Sequence, residues 1–188
     1  MTLKPRTISE WQELLPRARG VDAVLLDAVA NLIEHVPGDM TATVQAGMRL
    51  GDFQARLAKA GQWLPLDPPE PEAVTIGGLL ANNLSGPRRF GCGMVRDWLI
   101  GLAVVLPDGS LIRNGGRVVK NVAGFDLCRL FVAARVTMGF IVEASFRSIS
   151  RSSDSPGLPH PHHPHAYTPL MTKLSFGRAS SLKFYQRV

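Results

Sequence analysis

The chain has 188 residues, 45% of them hydrophobic and 19% charged, with a formal net charge of +6. That length suits one domain or two small subdomains, and that apolar fraction excludes global disorder. Residues 148–188 hold Arg151, Lys173, Arg178, Lys183 and Arg187 against Asp154 alone, so +4 of the charge lies there and the body keeps only +2, which argues against a duplex-binding face.

In chain order, Trp11, Leu14 and Leu15 suggest one or two helical turns that Pro16 stops. Val21 to Leu26 reads as a short strand. Ala28 to Ile33 is either a helical stretch or a turn feeding a strand at Ile33–Val36, and Pro37-Gly38-Asp39 is a turn. The alternation from Met40 to Ala46 fits a half-buried strand. From Gly47 to Gly61, Leu50, Phe53, Leu57 and Ala60 recur at helical spacing, and Gly61 suits a left-handed cap. Pro65, Pro68, Pro69 and Pro71 stiffen an extended loop. Thr75 is placed to cap a helix running from Ile76 to about Leu84.

Trp98 to Leu106 reads as a buried strand, Pro107-Asp108-Gly109 as a turn, and Ser110 to Asn114 as the returning strand. Asp126 is expected to cap a short helix, with Leu127, Leu130 and Phe131 inward. Phe140 to Arg147 closes the ordered part with Phe140, Val142, Ala144 and Phe146 on the apolar positions. Beyond it the Ser-, Pro- and His-rich run reads as a disordered tail, residues 148–188, after a domain spanning 21–147.

If Ile76 to Leu84 is helical, Gly78, Ala81, Asn82 and Ser85 form a face of small residues. Two readings stand. Such a face suits tight packing on a sheet, or a phosphate seated on free N–H groups at a helix start, where Gly77 and Gly78 lie. Arg88, Arg89 and Arg96 are natural partners of a pyrophosphate, or a solvated cluster. Lys120 and Asn121 lie beside an apolar run, and Lys120 could face a cofactor or a carboxylate substrate. His160, His162, His163 and His165 have no acidic or cysteine partners and suggest no designed metal site. Cys92 and Cys128 lack a CxxC spacing. No Ser-His-Asp or Cys-His set, G-x-G-x-x-G or P-loop occurs, so no catalytic residue is assigned and no metal is expected. No leader pattern opens the chain and no apolar run approaches the ~20 residues of a membrane span. The default is a cytoplasmic protein without a transmembrane segment or a nucleic-acid partner.

The stretches LPLDPP, TIGGLLANNLSGPRR, RDWLIGLAVVLPDG and GGRVVKNVAGFDL resemble the FAD-binding subunit of bacterial glycolate oxidase. That subunit is one of the flavoproteins with a p-cresol methylhydroxylase/vanillyl-alcohol oxidase type FAD-binding domain. The resemblance covers roughly residues 24–147. It implies an α+β fold, here a partial first subdomain plus a second subdomain, with non-covalent FAD between them. It also implies cofactor contacts from Pro65, Asp67, Thr75, Ile76, Gly77, Gly78, Asn82, Gly86, Arg89, Arg96, Asp97, Ile141 and Val142. The activity implied is oxidation of glycolate or another 2-hydroxy acid within a complex that includes an iron–sulfur subunit. Such partners would allow peripheral attachment to the inner membrane.

Three departures stand out. No glycine-rich loop appears in residues 1–30. A Gly-Ser-x-Gly-Thr-Leu-Gly loop of the family is here Ala133-Ala134-Arg135-Val136-Thr137-Met138-Gly139, which adds β-carbons where the backbone needs left-handed angles or close approach to a ligand. The cap domain has no counterpart after Arg147, which reads as truncation or a shifted frame. A non-catalytic fragment that serves at most in subunit assembly is therefore the alternative function.

Overall fold

The computed structural model describes residues 2–3, 5–17, 23–24, 28–115 and 127–151. Lys120, Asn121, Asp126, the four histidines from His160 to His165 and most of the expected tail lie outside them.

The chain starts with a miniature parallel crossover. Strand β1 (Thr2–Leu3) pairs in parallel with β2 (Ala23–Val24), and helix α1 (Ile8–Leu14) lies between them in sequence. Thr7 caps α1 by accepting from the Glu10 N–H. A 3-10 turn, Leu15–Arg17, continues through Pro16, so the proline does not end the helical path at once. Its first-turn position tolerates the missing N–H.

Alternating apolar residues then build the main sheet. Strand β3 (Leu32–Val36) is preceded by a turn and irregular backbone at 28–31, which resolves the open choice there against a helix. Strand β4 (Thr41–Gln45) follows the Pro37–Asp39 turn. Helix α2 (Leu50–Ala58) buries Leu50, Phe53 and Leu57, and Gly61 takes φ +68° after its end, the left-handed conformation that glycine enters without a β-carbon clash. Each of those three buried side chains contributes roughly 1.5–3 kcal/mol of apolar transfer.

Short strand β5 (Gln62–Trp63) leads into the proline loop, and helix α3 (Ile76–Ala81) comes next. That helix stops three residues before the expected Leu84. Asn83 adopts φ +49°, the Leu84 N–H bonds the Leu79 carbonyl and the Asn83 N–H bonds that of Leu80. This is a Schellman closure with asparagine in the left-handed place. Two single turns, α4 (Arg89–Cys92) and α5 (Val95–Trp98), lead to β6 (Leu99–Val105) and its hairpin partner β7 (Leu111–Gly115). Helix α6 (Leu127–Phe131), strand β8 (Phe140–Arg147) and β9 (Ile149–Ser150) complete the described chain.

The five-stranded sheet has the order β3-β4-β8-β6-β7 with antiparallel neighbours throughout. Strand β8 is its centre. Phe140, Val142, Ala144 and Phe146 are buried, with Trp11 of α1 against Phe140 (centroids 5.2 Å apart) and Phe53 of α2 against Phe146 (5.8 Å). The alternate residues are more polar: Glu143 meets Arg113 at 3.2 Å, and the Ser145 and Thr43 hydroxyls lie 2.8 Å apart.

The mixed α+β class expected from the sequence is the one found, with adjustments. Trp11 and Leu15 join the core, although they precede residue 21. Past Arg147, β9 pairs with β5, Ser148 is buried and its hydroxyl bonds Gln62, so order continues beyond the expected limit of 147. In α6, Cys128 and Phe131 are buried while Leu130 is 48% exposed, contrary to its expected inward placement, because a helix of five residues turns only part of its circumference to the sheet.

Candidate functional site

The start of α3 is a joint between two loops. The Ile76 N–H bonds the Met48 carbonyl (2.8 Å), the Gly77 N–H bonds Ala46 (2.7 Å), and the Gly78 N–H bonds the Thr75 hydroxyl (3.1 Å). In return the Leu50 and Gly51 N–H groups at the start of α2 bond the carbonyls of Val74 (2.9 Å) and Pro71 (3.1 Å). Each helix start is thus closed by the segment leading into the other. The Ala46 N–H in turn bonds the Val142 carbonyl at 2.9 Å, which ties the joint to the central strand. The expectation that this helix start leaves N–H groups open for a phosphate is not met. Its small residues serve close packing: Gly77, Gly78 and Ala81 are all buried.

The loop after α3 differs. Asn83 Oδ1 and Ser85 Oγ are buried and find no hydrogen-bond partner among the described residues, a costly state for polar atoms unless a ligand or water completes them. The loop is fixed from one side by Asp67. The Arg88 N–H reaches both Asp67 carboxylate oxygens at 3.2 Å, and Arg88 Nε lies 3.9 Å from Oδ2. The guanidinium sits over the Trp63 ring at 5.0 Å. Gly86 packs so closely on Asp67 that a methyl group there would overlap the Asp67 carbonyl. Burial pushes the Asp67 carboxyl above its ordinary value, against the lowering effect of the Arg88 N–H and guanidinium.

The expected site residues lie in different places. Asp67 and Gly86 come together at this contact, and Pro65 is buried two residues before Asp67. Thr75, Ile76, Gly77, Gly78 and Val142 meet at the joint through Ala46. Asn82 ends α3 and donates from Nδ2 to the Gly78 carbonyl at 3.0 Å. Arg89 is exposed beside Phe90, Arg96 is half exposed and 3.9 Å from Asp97, and Asp97 accepts from the Met94 N–H at 2.7 Å, which closes the start of α5. Ile141 is buried beside Val142 and pairs with Val104.

Sequence reasoning singled out Ser85 and Arg88 but passed over Asn83 and Trp63. The available signal for Asn83 was its adjacency to Asn82; the left-handed turn at Asn83 ends the helix between them.

The 133–139 segment docks on the far end of α3, where the Ala133 and Arg135 N–H groups bond the Leu80 and Ala81 carbonyls at 3.0 Å. Ala133, Arg135 and Val136 take φ +67°, +46° and +67°, the left-handed region that non-glycine residues enter at a cost.

A family described as "FAD binding domain" matches residues 3–115. The chain belongs to the FAD binding domain family. This FAD-binding domain is 39% identical over 121 residues to glycolate oxidase subunit GlcE of Escherichia coli (strain K12), covering 64% of this chain and 35% of that protein. It is 38% identical over 128 residues to glycolate oxidase subunit GlcD of Bacillus subtilis (strain 168), covering 68% and 27%. A D-2-hydroxyglutarate dehydrogenase of Stutzerimonas stutzeri (strain A1501) is 33% identical over 130 residues, covering 69% and 28%. The chain therefore spans about a third or less of these relatives. Among solved structures, an alkyldihydroxyacetonephosphate synthase superposes with a TM-score of 0.67 over 79% of this chain and 31% of that one, at 20% identity, which establishes the shared fold.

FAD is the cofactor of this domain. The loop after α3 fits it: Asn83 Oδ1 can accept from a hydroxyl, and Ser85 Oγ can donate or accept. Among the described residues no helix is long and apolar enough to cross a membrane.

Proposed function

We propose that this domain holds non-covalent FAD in a flavin-dependent oxidase or dehydrogenase of 2-hydroxy acids, with glycolate the first candidate. The observation that carries this reading is the pair of buried, unpartnered atoms Asn83 Oδ1 and Ser85 Oγ in a loop pinned by Asp67. The relatives support the substrate class, since glycolate and 2-hydroxyglutarate are both 2-hydroxy acids. Bound FAD supplies the acceptor for the hydride removed from such a substrate.

The chain's own residues bind and orient. Asn83, Ser85 and Asn82 would meet the hydroxyl-rich part of the dinucleotide, Arg89 and Arg96 its phosphates, and the buried Ile141–Val142 backbone would back the joint beside Thr75–Gly78. In this reading partner subunits, an iron–sulfur subunit among them, complete the substrate pocket and carry electrons onward in the cytoplasm or at the inner membrane.

Flavin fluorescence during titration of FAD into the purified chain tests the binding step, with saturable quenching expected. Bleaching of bound flavin by glycolate, D-lactate or D-2-hydroxyglutarate in the co-purified complex tests the substrate class. A folded chain that takes up no FAD sinks the first, and an unbleached flavin sinks the second. The left-handed Ala133, Arg135 and Val136 favour one other reading, a non-catalytic chain that acts in assembly; a colourless protein recovered with its partner subunits is its signature.

A further inference from the structure

The resemblance casts Asp67 as a residue that touches the cofactor, but its surroundings give it a different task. Both of its carboxylate oxygens face the Arg88 N–H, its backbone carbonyl abuts Gly86, and its side chain is 19% exposed. A carboxylate is also a poor neighbour for a pyrophosphate, because like charges repel most where water is excluded. The segment that carries Asp67 is itself held. The Gln54 side chain of α2 bonds both backbone groups of Leu64, accepting from its N–H at 3.0 Å and donating to its carbonyl. Trp63, next to Leu64, supplies the ring under the Arg88 guanidinium. A chain of contacts therefore runs from α2 through residues 63–67 to residues 86–88, and the loop between α3 and Arg88 contains Asn83 and Ser85.

We propose that Asp67 is a positioning residue for the cofactor loop: it fixes the backbone at Gly86–Arg88 so that Asn83 and Ser85 stand ready for FAD. This rests on the FAD reading above. Hydrogen bonds to a charged acceptor are among the stronger ones, and losing one in a partly buried place frees the segment it held. Burial raises the Asp67 carboxyl pKa in spite of Arg88, as expected of a carboxylate kept in a tight place for its geometry.

The test compares the full-length chain with Asp67→Asn and Asp67→Ala by flavin fluorescence titration, and follows the Arg88 amide in the FAD-free proteins by hydrogen exchange. Asp67→Asn keeps a carbonyl acceptor for the Arg88 N–H. It should bind FAD within about threefold of the unaltered chain and protect that amide. Asp67→Ala should bind about tenfold more weakly or worse, with the amide's protection lost. If Asp67→Ala does not fold, Asp67→Ser, whose short hydroxyl falls back from Arg88, should show the same loss. FAD affinity unchanged in both the alanine and serine variants overturns the proposal. Equal loss in the asparagine and alanine variants with the Arg88 amide still protected also overturns it, since Asp67 would then touch the cofactor itself. Absence of FAD uptake by the unaltered chain fails the FAD reading, and this proposal with it.

Discussion

Thr75–Gly78 and Asn82–Arg89 are neighbours in one glycine- and asparagine-rich run, yet they solve opposite problems. At Thr75–Gly78 the helix-start N–H groups are closed by Met48, Ala46 and Thr75 itself. At Asn82–Arg89 two buried polar atoms are left without partners. Small residues occur in the first because two backbones must meet, and in the second because Gly86 lies against the Asp67 carbonyl. A short side chain marks a close approach and does not say whether the approaching group is protein or ligand.

The contrast can be broken most forcefully at Gly86. Gly86→Ala forces the Asp67 carbonyl away, and we expect a loss of about 3 kcal/mol of stability, read by denaturant unfolding, together with loss of FAD uptake. Thr75→Ala probes the other side. It removes a helix cap and should cost about 1 kcal/mol, while FAD affinity of the folded protein stays within about twofold, since an affinity change that small is under half a kcal/mol. A large drop in affinity would erase the distinction between the two regions.

Ala133→Gly relieves a left-handed residue where the 133–139 segment docks on α3. It should raise stability by about 0.5 kcal/mol, the strain released less the greater freedom of the unfolded chain; a lower melting temperature would contradict this.

The smallest effect is in pH dependence. The Asp67 carboxyl is raised above its ordinary 3.8 in the folded chain, so the folded state holds that proton more tightly than the unfolded chain does. Its contribution to stability is complete below 3.8 and is lost as pH rises through the folded value. Asp67→Asn removes that dependence. Melting curves from acid to neutral pH should show the variant gaining on the unaltered chain as pH rises, and a constant gap would count against the raised value.

Much of the scaffold was legible because its signals are local. The stripe Leu50, Phe53, Leu57 gave α2, Gly61 gave its end, Pro107-Asp108-Gly109 gave the β6–β7 turn, and the alternation from Phe140 gave β8. What was not legible depends on distant partners. Nothing near Ile149 announces that it will pair with Trp63, and nothing in Thr75–Gly78 says that the carbonyls of residues 46 and 48 will occupy its N–H groups. The end of α3 at Ala81 turned on Asn83 entering the left-handed region, which an asparagine does often enough to allow but not to require. For the candidate site, the run from Thr75 to Arg89 stood out in the sequence, but which of Asn82 and Asn83 turns inward could not be read from it, because helical phase cannot be carried past a helix end that has not been placed.

The position of β8 has a consequence for how the molecule is made. The strand lying between β4 and β6 is made after the four other strands of its sheet, so the β3–β4 pair and the β6–β7 hairpin can form only as separate units until it arrives. The sheet is therefore assembled late and all at once, and a nascent chain stalled before residue 140 would present bare strand edges to whatever chaperone is at hand.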